Sequence, residues 1–323
     1  MDVARIRTPF GFSSTTAQVT AGLDLTGRRI VVTGAASGLG WETSRALAAV
    51  GAEVTLAVRS LDAGAKAAAE IAQLTGNTLV RAAHLDLTDR PSIARFAAGW
   101  SGPLHVLVNN AGGILRNLDR TPEGWEKQFV VNHLGHFELA NLLRPALAAG
   151  AAEGGEARIV SLSSSGHLYS PVVFDDVHFR YRQYADTLAY GQAKTANVLF
   201  DVGATARWAG DRIFANAAMP GPTLTGFQRT MDPERLRQRL GGADLAGGEM
   251  PMGFKTLEQG AATTVFLAAS PLISGVGGRY FENSNEAVVA ADNNGYRSGV
   301  APYALNEANA DRLWMLSEQL LSM

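Results

Sequence analysis

Residues 31–40 read VVTGAASGLG, an apolar β-branched run that turns through glycines 34, 38 and 40 into a stretch of helical period. The spacing is G-x-x-x-G-x-G, which differs from the G-x-G-x-x-G of the best-known dinucleotide turn. The physics carries over. Glycines let the backbone approach a pyrophosphate without Cβ collision, and the N-terminus of the following helix supplies free N–H groups and a positive dipole end. A glycine-rich strand-to-helix turn can also be purely structural, so the motif alone leaves nucleotide binding open.

Outward from this turn the chain keeps one rhythm. "RRIVVTG" reads as a strand and "GLGWETSRALAAVG" as a helix closed by Gly51. A strand in "AEVTLAVR", a helix over 62–74, a strand ending in "HLDL" and a helix opened by "TDRPS" follow. "PLHVLVNN" is a buried strand, and one long helix is predicted through "GWEKQFVVNHLGHFELANLLRPAL". A strand at "ARIVSLSS", a helix over 188–209 and "RIFANAAMPG" continue the series. Strands alternating with helices predict an α/β protein, a single-domain Rossmann-type doubly wound parallel sheet with helices on both faces. Residues 27–285 form the expected catalytic domain, between an N-terminal extension over 1–26 and a C-terminal extension over 286–323 that ends in an amphipathic helix. Two segments, 165–187 and 226–254, lose all period; long irregular insertions in a compact α/β domain usually sit near its ligand.

The dinucleotide fold places a ribose-binding acid about 20 residues beyond the glycines. Position 59, at the end of the second strand, is Arg59. A guanidinium binds a 2′-phosphate bidentately where an acid would repel it, which predicts NADP(H) over NAD(H). The alternative is a solvated arginine with Asp62 serving as the ribose acid.

Bulk properties narrow the function. The chain has 323 residues, 46% hydrophobic, and a formal net charge of -2 without blocks of like charge. That argues against nucleic acid or an anionic bilayer as partner. With no cysteine, thiolate metal sites and cysteine nucleophiles drop out. His133 and His136 are three apart with no third ligand near, so they read as packing or site-lining residues and no metal is expected. No apolar run reaches signal-peptide or membrane-span length, which leads to an expectation of a soluble, cytoplasmic protein.

Four stretches then occur in order: TGAASGLG, NNAGG at 109–113, SLSSS at 161–165 and AYGQAK at 189–194. Together they resemble the short-chain dehydrogenase/reductase superfamily, in its compact single-domain branch, over about residues 26–285. Within it the chain looks most like the retinol-dehydrogenase and WW-domain-oxidoreductase group, through the arginine after the second strand, the VNHLGHF helix and a long serine-to-tyrosine gap. The resemblance implies that Gly34, Ala36, Ser37, Gly38, Leu39 and Gly40 hold the cofactor's phosphates and that Asp86 and Leu87 flank its adenine. It implies that Asn109, Asn110, Ala111 and Gly112 line the trough. Pro220, Gly221 and Thr225 would lie at the nicotinamide, Thr225 holding its carboxamide. Homodimers or homotetramers through the 188–209 helix are common among such enzymes.

The catalytic reading centres on Tyr190 and Lys194, which an α-helix lays on one face at i and i+4. Lys194 is one of only four lysines beside 24 arginines. Hydride transfer to a carbonyl needs a proton partner for the oxygen, and a free tyrosine with a pKa of about 10 is too weak an acid without neighbouring positive charge. A compact ammonium supplies that charge and, by the resemblance, also reaches the nicotinamide ribose. Ser164, the second serine of the strand end, would stabilise charge on the substrate oxygen. By the same resemblance Asn132 would complete the family's tetrad by holding a water beside the lysine; its alternative is a buried asparagine satisfied by backbone.

Departures are visible. Ser164 and Tyr190 are 26 residues apart, twice the usual gap, and the intervening Phe174, Phe179, Tyr181 and Tyr184 either bracket the mouth for an apolar substrate or pin the loop to the body. Met219 stands where the related group often has histidine, and Trp41 where a smaller residue is usual. The leading expectation is an NADP(H)-dependent carbonyl reductase or alcohol dehydrogenase. A redox-silent dinucleotide-binding regulator and a C=C reductase are the alternatives, and no G-x-S-x-G elbow supports a serine hydrolase.

Overall fold

The computed structural model describes residues 5–223, 253–292 and 298–323. Strand β1 (Arg29–Thr33) carries Ile30, Val31 and Val32, all fully buried. Successive side chains leave opposite faces, so Ile30 and Val32 join the core on one side of the sheet and Val31 the core on the other. Both flanks of β1 are paired in parallel, one by β2 (Glu53–Val58) and one by β4 (Val106–Asn109). Outward lie β3 (Val80–His84) beyond β2, and β5 (Ala157–Leu162), β6 (Ile213–Met219), β7 (Arg279–Glu282) and β8 (Asn285–Glu286) beyond β4. Among the described strands only the β7–β8 pairing is antiparallel. This is the single-domain Rossmann-type sheet expected from the sequence.

Helices cover both faces. α1 (Thr16–Val19), α2 (Gly38–Ala49), α3 (Leu61–Thr75) and α8 (Leu257–Ala269) bury apolar residues on the Ile30 side. α4 (Arg90–Ala98), α6 (Gly135–Gly154) and α7 (Asp186–Trp208) do so on the Val31 side. Their ends follow local chemistry: Ser60 caps α3, left-handed Gly76 closes it, and Thr256 with Gln259 forms a capping box on α8. A further helix, α9 (Glu307–Leu321), lies outside α7, where Trp314 stacks on Phe200 at 6.0 Å and meets Trp208 edge-on at 5.3 Å.

The chain leaves β1 in one direction and returns through β4 in the other, so a crevice opens at the C-terminal ends of these two strands. Every βα turn on that edge is a candidate wall.

Three differences from the sequence expectations bear on the site. The long helix predicted from Gly124 begins instead at α5 (Lys127–Phe129), because Gly124 is left-handed and the buried Glu126 turns its carboxylate onto the Gln128 and Phe129 amides at 2.7 Å. It then widens into a π turn over Val130–Leu134 before α6 resumes. α8, β7 and β8 lie in a region for which the sequence predicts no element; β7 has only four residues, two of them charged. Third, of the two readings left open for the insertion aromatics, Phe174, Phe179 and Tyr184 favour anchorage of the loop to the body, and Tyr181 takes neither. Tyr184 donates to the Leu115 carbonyl at 2.9 Å, Phe179 packs edge-on against Tyr184, Phe174 lies under Arg312, and Tyr181 is 89% exposed.

Candidate active site

A cavity of about 400 Å³ occupies the crevice, walled by the turns after β1, β4, β5 and β6. The β1 turn is built for close approach. Gly34 has φ +65, and a Cβ there would lie 2.9 Å from the Ala111 Cα; at Gly40 a Cβ would collide with the Asn110 amide and the Gly34 carbonyl. Gly38 opens α2 with φ +61. Ser37 sits at the N-cap yet makes no capping bond, so the first N–H groups of α2 face the cavity unmasked. Leu39 lines the wall, whereas Ala36 packs against the core behind it.

The strap after β4 faces this turn. Thr33 Oγ1 accepts the Asn110 and Ala111 amides, both at 2.9 Å, and the Asn110 side chain donates to the Thr33 carbonyl at 2.7 Å. Asn110, Ala111 and Gly112 line the cavity; Asn109 is turned into the sheet, 3.5 Å from Ser161 Oγ. Arg59, Asp86 and Leu87 stand off this wall. Arg59 is exposed beyond β2, and Leu87 is buried with its carbonyl against Gly135. The Asp86 carboxylate opposes its burial with bonds from the Thr88 amide and hydroxyl and the charge of Arg59, and ends below the ordinary range. Pro220 and Gly221, after β6, close the opposite side. Thr225 lies outside the described residues.

Three of the four expected catalytic side chains meet at the cavity. Ser164 caps a short 3-10 turn (Ser165–Tyr169) with its Oγ on the Gly166 amide at 3.1 Å. A Cβ placed on Gly166 would touch Tyr190 Cε1 at 2.9 Å and Ser164 Oγ at 3.4 Å. Ser164 and the Tyr190 ring therefore lie within one methyl's reach of each other, and the 26-residue gap is a loop excursion that returns to the same place. Ser163, although on the wall, has its hydroxyl committed to the Lys194 carbonyl at 3.0 Å. His167 holds the Ser164 carbonyl through Nδ1 at 2.7 Å and accepts the Ala301 amide at Nε2.

Lys194 lies one turn beyond Tyr190 on α7, its Nζ 5.5 Å from the phenol ring centroid and donating to the Leu162 carbonyl at 2.9 Å. Burial brings its pKa down to about 7. Asn132 is set inward by the π turn. Its amide spans Gly113, accepting the N–H at 3.2 Å and donating to the C=O at 3.1 Å, and it donates again to the Gln128 carbonyl at 2.8 Å. The side chain is satisfied by backbone and is not part of the cavity wall. It acts there through the strap it holds, because a Cβ on Gly112 would collide with Asn132 Oδ1 and lie 3.5 Å from Lys194 Nζ.

His133 and His136 are packing residues of this framework, His133 bonded to Ser317 at 3.0 Å and His136 to Thr33 at 2.9 Å. Among the described residues no group of three His, Asp or Glu side chains could hold a metal, and no helix is long and apolar enough to cross a membrane. Gln128, Thr33, His136 and His167 hold the backbone of the strap or of the candidate site residues without touching the cavity, a role the sequence reading gives to none of them. Gln128, His136 and His167 signal it only by lying three or four residues from Asn132 or Ser164, and Thr33 by opening the glycine motif.

Comparison with known proteins agrees with this geometry. Residues 28–236 match the short chain dehydrogenase family. A probable oxidoreductase of Streptomyces lividans is 51% identical over 302 residues, covering 93% of this chain and 99% of that protein. Retinol dehydrogenase 12 of mouse is 36% identical over 307 residues, covering 94% and 89%. The greater likeness is thus to the bacterial oxidoreductase and not, as the motifs suggest, to the retinol-dehydrogenase group. The Pseudomonas aeruginosa RhlG/NADP complex superposes with a TM-score of 0.63 at 26% identity, covering 80% of this chain and 95% of that one. With the fold, the glycine turn, the serine–tyrosine–lysine meeting and these matches together, the chain belongs to the short-chain dehydrogenase family of oxidoreductases.

Proposed function

We propose that the chain is an NADP(H)-dependent oxidoreductase that moves a hydride between nicotinamide and the carbonyl or alcohol carbon of an apolar substrate, with Tyr190 as proton donor and acceptor. The carrying observation is the meeting of Ser164 Oγ and the Tyr190 ring around Gly166, one helical turn from Lys194 Nζ. The walls suit a dinucleotide: a glycine turn that a Cβ would fill, an uncapped α2 N-terminus for a pyrophosphate, and a strap facing both.

In this reading Gly34 to Gly40 hold the phosphates, Arg59 the 2′-phosphate, Asp86 and Leu87 the adenine, and the Asn110–Gly112 strap, Pro220, Gly221 and Thr225 the nicotinamide end. When bound, the cofactor supplies or takes the hydride. Ser164 donates to the substrate oxygen and concentrates charge there, while Tyr190 passes it the proton. Lys194 in its charged form would favour the phenolate. Asn132 keeps the strap over Lys194. Ile114, Leu162 and Phe254 on the wall favour an apolar substrate. The catalytic unit is residues 27–285, and because α9 already covers one flank of α7, a homodimer or homotetramer would use another face.

Turnover tests this directly. Tyr190→Phe should lower NADPH oxidation over an aldehyde and ketone panel by about 10³-fold or more, with NADPH binding nearly unchanged, and the wild type should prefer NADPH to NADH. Retained activity in the variant removes Tyr190 from the mechanism.

A further inference from the structure

His136 has no role in the proposed chemistry, yet it closes a hydrogen-bonded ring. Its Nδ1 lies 3.1 Å from the Asn132 carbonyl, which can only accept, so Nδ1 carries the proton. Nε2 must then accept, and its partner is the Thr33 hydroxyl at 2.9 Å. That hydroxyl has one proton to give; the Val108 carbonyl, at 3.3 Å, is the more distant claimant. Thr33 Oγ1 takes the amides of Asn110 and Ala111, the strap runs on to Gly113, and the Asn132 side chain grips Gly113 at both backbone atoms. The ring therefore passes from Thr33 through the strap to Asn132 and back through His136. All three side chains in it are at most 2% exposed.

Its geometry needs the π turn. Widening the helix at Val130–Leu134 turns Asn132 toward Gly113 while its carbonyl stays within reach of the imidazole one turn on. Burial, with Lys194 acting in the same direction and the Asn132 carbonyl opposing, holds the His136 pKa at about 3, so the neutral tautomer that the partners demand is the one present.

We propose that His136 is a positioning residue: by closing this ring it fixes the Gly112–Gly113 strap against Lys194 and so shapes the nicotinamide side of the cofactor site, touching neither cofactor nor substrate. The inference rests on the cavity being the NADP(H) site proposed above.

Three measurements on the full chain test it. Long-range ¹⁵N–¹H spectra of the imidazole should show the Nδ1–H tautomer; an Nε2–H tautomer overturns the proposal. His136→Phe, which has no donor or acceptor, should weaken NADPH binding about tenfold and speed amide exchange at Ala111 and Gly113. His136→Asn, which can still donate from near the Nδ1 position, should recover a large part of both. Equal behaviour of Phe and Asn, or a Phe variant that matches wild type, overturns it. Should His136→Phe fail to fold, Thr33→Val against Thr33→Ser reads the same ring from its other side: Val should speed the two amides and Ser should not, and no difference between them overturns the proposal. NADPH bound by the wild type without any turnover would sink the oxidoreductase reading and leave the ring standing; turnover with all variants alike would do the reverse.

Discussion

Two helices present candidate catalytic residues, and they do it by opposite means. α7 is regular from Asp186 to Trp208 and delivers Tyr190 and Lys194 to one face by spacing alone. The α5–α6 helix delivers Asn132 only by abandoning its regular period for a π turn. In the first case side-chain geometry follows from counting residues. In the second it follows from a defect that counting does not reveal, and the defect is held open by groups elsewhere: Glu126 at the helix start, Gln128 on the Leu115 amide at 2.6 Å, and His136 on the Asn132 carbonyl.

The contrast can be broken at either helix. The largest effect is expected on the regular one, where Lys194→Ala removes the ammonium beside the phenol. Turnover should fall by about 10²–10⁴-fold, with the loss in kcat exceeding any rise in the KM for NADPH; a variant within a few fold of wild type would detach Lys194 from the chemistry. Deleting Val131, which takes one residue from the wide turn, should let the helix run as a plain α-helix and swing Asn132 off Gly113. The expected outcome is a folded protein by circular dichroism with activity down by about tenfold or more. If activity survives, the widened turn is incidental.

The smallest effect sharpens the comparison from inside α7. Asp201, three turns along from Tyr190, is fully buried with one bond, from Ser161 at 2.8 Å, and burial holds its carboxyl well above the ordinary carboxylate range. The folded chain therefore keeps a proton there that the unfolded chain gives up above pH 3.8. Stability from this group is present below that pH and is lost as pH rises toward the folded value. Asp201→Asn, neutral at every pH, should match wild type near pH 4 and exceed it by about 2–4 °C in Tm at pH 8. A gap that does not widen with pH would refute the buried neutral acid.

Legibility followed the same division. The sheet, its parallel order and the two faces of helices were readable because β-branched runs and glycine turns state their partners locally. The placing of Tyr190 and Lys194 on one helix face was readable by period, and that of Ser164 through the resemblance of its motif. The mode of action of Asn132 was not, because a π turn has no pattern of its own and the residues that hold it are spread over Thr33, Glu126, Gln128 and His136. β7 was missed for want of length, and its place is fixed by pairing with β6 from Asn216 to Met219. The insertion aromatics carried two readings because sequence gives ring count without direction; Tyr184 bonded to Leu115 decides for anchorage.

The flank of α7 is finished by Trp314 and Leu313 of α9, and the π turn by Ser317 on His133. While a ribosome is still making the chain, α7 exists before the strand β7 and the helix that cover it, so its apolar flank waits bare in the nascent protein. The interval in which that flank is bare is therefore set by the distance along the message from α7 to α9, and a ribosome stalled within it would leave the glycine turn in place beside an unfinished α7.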